Sequence, residues 1–362
     1  MPSGRFRSTK RLFALGLAGV ALAAAAISLA IAARAPDTVT SGPEDMSEPR
    51  RLPPIGTTPT IQPDADGGTR ARTPPRDIRA IYLTSWSAAT PGRLGEAINL
   101  IRTTDLNAIV IDVKDYTGKV AFRTSSALIE EIGSEEPRLG DLTRLVERLH
   151  QAGVYVVVRI AAFQDQHLVK VRPDLAAKDP QGKIWRDRMG LGWVDPASPE
   201  VWGYVVEVAR EAAGAGADEL NFDYIRFPTD GDLSALRYPV FHEGGASRRQ
   251  VIQHFFEYLT TALRPTGKQL SADLFGLTTI RSDDLGIGQI LEDALLYFDV
   301  VSPMVYPSHY AKGFLRYQNP AAHPYEVVLY SLASATARRE RLARAVAMLP
   351  EDGGSVSANG RP

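Results

Sequence analysis

Residues 154–163 read V-Y-V-V-V-R-I-A-A-F, and residues 108–114 read A-I-V-I-D-V-K. Both are nearly continuous β-branched runs that meet a charged side chain only toward their C-terminal ends. A strand with one wet face alternates apolar and polar residues. A run that stays apolar on both faces belongs to a strand covered by helices on either side of a parallel sheet. Ala80–Trp86, Glu219–Phe227, Gln269–Phe275 and Asp299–Tyr306 follow the same pattern. Helical spacing lies between them: Leu142, Leu145, Val146 and Leu149 recur at i, i+3, i+4 and i+7, and Val201, Val205, Val208 and Ala212 nearly so. Strand and helix alternate without hairpin turns, which predicts an α/β fold with right-handed crossovers, a barrel or a doubly wound sheet. The first strand is followed by S-W-S-A-A-T (85–90) rather than a glycine-rich phosphate loop, which disfavours the nucleotide-binding form.

Outward from these runs the chain changes character. Arg5, Arg7, Lys10 and Arg11 precede an uncharged apolar stretch from Leu12 to Ala33. Residues 1–35 therefore read as a membrane anchor or a signal peptide, and the length of the apolar stretch favours the uncleaved anchor. The basic end belongs in the cytoplasm and the rest outside, so the expected location is the cell membrane with an extracytoplasmic domain, or else secretion. Residues 36–76 hold nine prolines and almost no large apolar residue, the composition of a disordered linker. Residues 77–349 suit one barrel, for which about 250 residues is typical. Residues 350–362 read as a disordered tail.

Forty-one basic against 42 acidic side chains give no basic excess, so nucleic acid is not an expected partner. The absence of cysteine excludes disulfides, thiol nucleophiles and thiolate metal sites, and six scattered histidines form no metal motif. No cofactor and no metal are expected.

Each strand run ends in polar chemistry: Asp112 and Lys114, Arg159, Asp223 and Arg226, Asp273, and Tyr306. Buried charge is costly unless paired, and in a parallel barrel the C-terminal strand ends meet at the face that carries the site. Carboxylates gathered there with aromatics suit glycoside hydrolysis, in which one carboxyl protonates the leaving oxygen and another attacks carbon or activates water. Candidate catalytic residues are Asp223 as nucleophile or base, Asp273 as acid, and Asp112 assisting. Candidate substrate-binding residues are Trp86, Lys114, Arg159, Trp185, Trp193, Tyr224, Arg226, Tyr306 and His309, with Tyr116 a further aromatic past a strand end. Trp202 sits in a helical pattern and is expected to pack. The segment 164–196 is long for a βα loop, is expected to be partly helical around Leu168–Ala177, and otherwise to wall the cleft. Asp115, Arg186 and Asp187 are expected to shape that cleft rather than react. Asp223 and Asp273 fall on consecutive strands; as neighbours about 4.8 Å apart, they could not both stay ionised cheaply. Apolar Ala272, Leu274 and Phe275 assign the raised value to Asp273, while Arg226 would favour ionised Asp223 if the side chains meet.

The runs I-Y-L-T-S-W (81–86), V-I-D-V-K-D (110–115), W-R-D-R-M-G-L-G-W-V-D-P (185–196), F-D-Y-I-R-F-P (222–228), S-A-D-L-F-G-L-T-T (271–279) and S-P-M-V-Y-P-S-H-Y (302–310) resemble a bacterial and archaeal family of glycosyl hydrolase domains. The resemblance implies a (β/α)8 TIM-barrel-like hydrolase acting on a polysaccharide or oligosaccharide. A weaker likeness to family 18 chitinases aligns D-E-L-N-F-D-Y-I (218–225), where the chitinase acid position holds Ile225. Only six strands are legible, and Pro324–Leu349 reads as a helix, so the barrel is expected to lack its last two strands. That shortfall supports the alternative of a non-catalytic carbohydrate- or cell-wall-binding barrel.

Fractionation of cells expressing the full chain tests the N-terminal expectation. The protein should partition with membranes; recovery in the soluble cytoplasm would exclude export, and a soluble exterior form starting near residue 36 would exclude only the anchor.

Overall fold

The structure, a computed structural model, describes residues 73–348. The expected anchor or signal, nearly all of the linker, and the C-terminal tail lie outside the described residues. Among the described residues no helix is long and apolar enough to cross a membrane.

The elements run β1 (Ala80–Leu83), α1 (Ser85–Ala89), α2 (Pro91–Thr103), β2 (Ala108–Lys114), α3 (Ala127–Ile132), α4 (Leu142–Gln151), β3 (Tyr155–Ala161), α5 (Leu168–Val171), α6 (Pro199–Gly214), β4 (Glu219–Asp223), α7 (Arg248–Leu263), β5 (Gln269–Phe275), α8 (Leu291–Tyr297), β6 (Val300–Met304) and α9 (Pro324–Ala347). The strands form one sheet in chain order, β1-β2-β3-β4-β5-β6, every pairing parallel. All six expected strands are present, several shorter than their apolar runs. β1 stops at Leu83 because Thr84 caps α1, its hydroxyl accepting the Ser87 N–H at 3.1 Å. β4 stops at Asp223 because Tyr224 turns into the left-handed region, φ 55°. The helix expected over 168–177 shrinks to α5: Pro173 follows Arg172 and holds it out of helical geometry, at φ −126°, ψ 67°.

Period-two alternation sorts each strand. Ile109 and Ile111, Val156 and Val158, Leu220 and Phe222, and Leu270 and Ala272 are completely buried in the main apolar core. The helices bury the stripes their spacing predicts: Leu142, Val146 and Leu149 on α4, and Val201, Val205, Val208 and Ala212 on α6. Each buried leucine or valine in these stripes contributes about 1.5–3 kcal/mol relative to exposure. Trp202 packs as expected, its ring 5.8 Å from Phe255 and its indole N–H donating to the Pro196 carbonyl at 2.7 Å.

The sheet is a half-barrel, open between β1 and β6. Eight-stranded closure is not reached among the described residues. Pro303 lies within β6 and removes a backbone donor, a common device on edge strands. Beside β6, α9 closes over the turn Gly276–Thr279. The Arg338 guanidinium, buried although it belongs to a basic stretch, pairs with Glu292 and donates to the Thr278 and Arg281 carbonyls.

Gly276 makes the β5–β6 corner possible, because a Cβ there would sit 2.5 Å from the Met304 carbonyl oxygen. Gly276→Ala should therefore cost about 1–3 kcal/mol through backbone displacement. Urea denaturation checks this, and unchanged stability would mean the corner relaxes freely.

Candidate active site

Register places the polar side chains on one face. Asp112 on β2 is the direct partner of Arg159 on β3, and Arg159 is the partner of Asn221 on β4. Asn221 pairs with Ser271 on β5. Two residues further along their strands, Asp223 and Asp273 share that face. Arg159 binds all three carboxylates. Nη1 donates to Asp112 Oδ1 at 2.7 Å, Nε to Asp273 Oδ2 at 3.4 Å, and Nη2 to Asp223. The Arg159 side chain is 18% exposed, so it reaches solvent while remaining largely desolvated. Burial opposes its charge, but Asp223, Asp112 and Asp273 outweigh that and raise its pKa, so it stays a cation.

Each carboxylate has a second support. Asp112 accepts the Tyr82 hydroxyl, and the Tyr82 ring lies 5.8 Å from the Arg159 guanidinium carbon. Asp223 accepts the N–H of Tyr224 at 2.6 Å. The left-handed backbone at Tyr224 accompanies that contact, at a cost of about 1–2 kcal/mol for a residue with a Cβ. Asp273 accepts Asn221 Nδ2 at 3.0 Å. Burial, followed by the Asp223 charge, pushes the Asp273 carboxyl up to about 7, with Asn221 and Arg159 opposing. Burial raises Asp112 as well, against Arg159 and Tyr82. Tyr224 is pushed up to about 12 by burial and Asp223, and Tyr306 rises through burial and the Asp223 and Asp273 charges.

Of the other sequence candidates, Tyr306 is half exposed with its ring 5.1 Å from His309, whose pKa burial lowers. Trp86 is 62% exposed, with the Arg138 guanidinium 5.0 Å from its ring. Tyr116 is also exposed. Lys114 does not face the cleft. The register of β2 shifts between Asp112 and Lys114, a bulge that breaks the alternation which would have kept both on one side. Lys114 is wholly buried, paired with Asp165 at 2.8 Å and donating to the Ala161 carbonyl at 2.7 Å. Trp185 and Trp193 are buried too, their indole N–H groups donating to the Asp232 carbonyl and to Asp187 Oδ2. They build the cleft wall rather than a stacking platform. Arg226 forms no ion pair with Asp223; it lies over Trp193 at 4.7 Å and Phe275 at 4.6 Å.

Asp187 gathers the long loop around itself, accepting the Met189 and Leu191 N–H groups at 2.9 Å besides Gln164 and Trp193. Arg186 donates to the Gly190 carbonyl, and Asp115 accepts the Thr117 N–H. These contacts shape the loops. Tyr82 and Asp165 were missed by sequence reasoning. For Tyr82 the signal is its place between Ile81 and Leu83, which point into the core; for Asp165 there is none before the β2 bulge is known.

A parallel α/β sheet with carboxylates gathered near its C-terminal strand ends puts this protein in the class whose sites form at that rim. The chain matches the family described as "Putative glycosyl hydrolase domain" over residues 80–350 and belongs to it. Among solved structures it is similar to a hypothetical protein from Ruminiclostridium thermocellum, with 32% identity, a TM-score of 0.49, and 57% of this chain and 98% of that one covered. It is also similar to the PgaB (BpsB) glycoside hydrolase domain from Bordetella bronchiseptica, with 17% identity, a TM-score of 0.48, and coverage of 74% and 82%. An exo-β-N-acetylglucosaminidase from Vibrio harveyi gives 15% identity, a TM-score of 0.42, and coverage of 64% and 42%. No curated protein matches.

The raised carboxyl makes stability pH-dependent. With its folded value near 7 and its ordinary value at 3.8, Asp273 holds its proton more tightly when folded. Its stabilising share is complete below about pH 4 and is lost as pH rises through 7. Asp273→Asn should erase that dependence, so its stability relative to wild type should climb between pH 4 and pH 8. A flat difference across this range in urea denaturation would place Asp273 at an ordinary value.

Proposed function

We propose that this protein is a glycoside hydrolase whose reaction is carried by Asp273 and Asp223. The observation that supports it most is the pair itself: two carboxyls on adjacent strands, sharing one guanidinium, with Asp273 raised to about 7. A carboxyl that keeps its proton near neutrality can donate it to a glycosidic oxygen. Asp223, bound by Arg159 and by the Tyr224 N–H, is oriented to attack the anomeric carbon or to activate water. Placement on adjacent strands fits the closer carboxyl spacing of about 5–5.5 Å that retaining enzymes use. Asp112, tied to Tyr82 and Arg159, holds the guanidinium from the other side. Trp86 and Tyr306 offer exposed rings for sugar faces. The acid is not the residue a chitinase uses, because Ile225 occupies that position and is wholly buried. Family membership supports the same function, and the N-terminal sequence supports action outside the cytoplasm.

Among the described residues the sheet stays open between β1 and β6, which supports a second function, a barrel that binds glycans without cleaving them. Turnover separates the two. On a polysaccharide panel the wild-type protein should release reducing ends, and Asp223→Asn and Asp273→Asn should each lower kcat by about 10²–10⁴ while glycan binding persists. Activity should fall as pH rises through about 7, where Asp273 loses its proton. Near wild-type rates in both variants would remove the assignment, and glycan binding without turnover would leave the binding barrel.

A further inference from the structure

Arg226 is a buried guanidinium with no ion-pair partner among the described residues. It is 6% exposed, and its Nη1 donates to the Phe227 carbonyl at 3.0 Å. Among the described residues the other buried arginine, Arg338, is neutralised by Glu292, and the cleft arginine Arg159 by three aspartates. Among the described residues no carboxylate lies within 4.0 Å of the Arg226 guanidinium. The carboxylates whose charge reaches it are committed elsewhere: Asp223 to Arg159 and the Tyr224 N–H, Asp230 to the Arg188 N–H, and Asp187 to four donors.

Three aromatic rings surround the cation, Trp193 at 4.7 Å, Phe275 at 4.6 Å and Tyr224 at 5.7 Å. Their faces attract a guanidinium but accept none of its in-plane hydrogen bonds. Among the described residues Arg226 has no fully buried side-chain nitrogen left without a hydrogen bond, so its remaining donors keep some contact with solvent. A desolvated charge held this way is costly to keep, and an incoming carboxylate would repay it with a planar, two-pronged match. The Tyr224 ring also lies 6.0 Å from Arg159, so one ring contacts both this donor fork and the guanidinium that holds the three aspartates.

We infer that Arg226 forms a subsite for a carboxylate carried on a sugar ring, so that the substrate is an acidic glycan. The inference rests on the hydrolase proposal and names its substrate class. The carboxylate could belong to a hexuronic acid or to a lactyl ether on an amino sugar, and the two sources need separate probes.

The test measures binding by calorimetry with the full chain carrying Asp273→Asn, which removes turnover. The probes are hexuronate oligosaccharides, lactyl-ether-bearing amino-sugar oligosaccharides, and the carboxyl-reduced form of each. One acidic series should bind at least about tenfold more tightly than its reduced partner, and salt should narrow the gap. Arg226→Gln should bring the acidic probe down to the level of the neutral one, and Arg226→Lys should recover part of the difference. Because the paired probes are compared on one protein, the preference can be judged even if an Arg226 variant fails to fold. Equal binding of acidic and reduced probes, or a preference that survives Arg226→Gln, overturns the subsite while leaving a hydrolase of neutral glycans. Binding of no probe overturns the subsite and counts against a glycan ligand altogether.

Discussion

One guanidinium organises the open end of this sheet. Arg159 stands on β3 and reaches Asp112 on β2, Asp223 on β4 and Asp273 on β5. Without a cation, three carboxylates crowded onto adjacent strands would repel one another with little water to screen them. A lysine could not replace it, because an ammonium is a point charge whereas three differently placed carboxylates need a planar fork. Removing one partner from such a buried assembly typically costs about 3–5 kcal/mol, more than most single core contacts supply. The same contact splits the carboxyls chemically. Asp112 and Asp223 take the terminal nitrogens, and Asp273 receives only the longer Nε contact, leaving burial and its neighbour free to raise it.

The sheet was legible because its strands announce themselves. Apolar runs with terminal charge gave all six, and the carboxylates Asp112, Asp223 and Asp273 do converge as their strand positions imply. What sequence could not supply were local breaks in periodicity. The bulge in β2 sends Lys114 into the interior against Asp165, while strict alternation would keep it beside Asp112. The left-handed turn at Tyr224 ends β4 early and carries Arg226 away from Asp223, so nearness in sequence gave the wrong partner. Trp185 and Trp193 look like sugar platforms in a string of letters, yet both rings are buried and each indole N–H already has an acceptor. Composition and spacing reveal which side chains are available. They do not reveal which of them the protein has already used.

That distinction organises the charges near the site. Lys114 and Asp165 neutralise each other without reaching a ligand, and Asp187 uses its oxygens to fold the long loop around itself. Arg226 lies near the same wall with its charge held by rings instead of by a carboxylate. Spent and unspent charge therefore lie side by side, and only the second kind can recognise anything.

The sheet also has an order in time. Since spatial order equals chain order, every pairing joins a strand to the one made just before it. Among the described residues each strand after β1 therefore has its chain-order predecessor as a neighbour, so assembling these six needs no pairing between strands distant in sequence. The sheet can thus grow as a template does, one βα unit at a time, with the newest strand always the exposed one. Among the described residues β6 is the last strand in that order, and Pro303 within it removes one backbone donor.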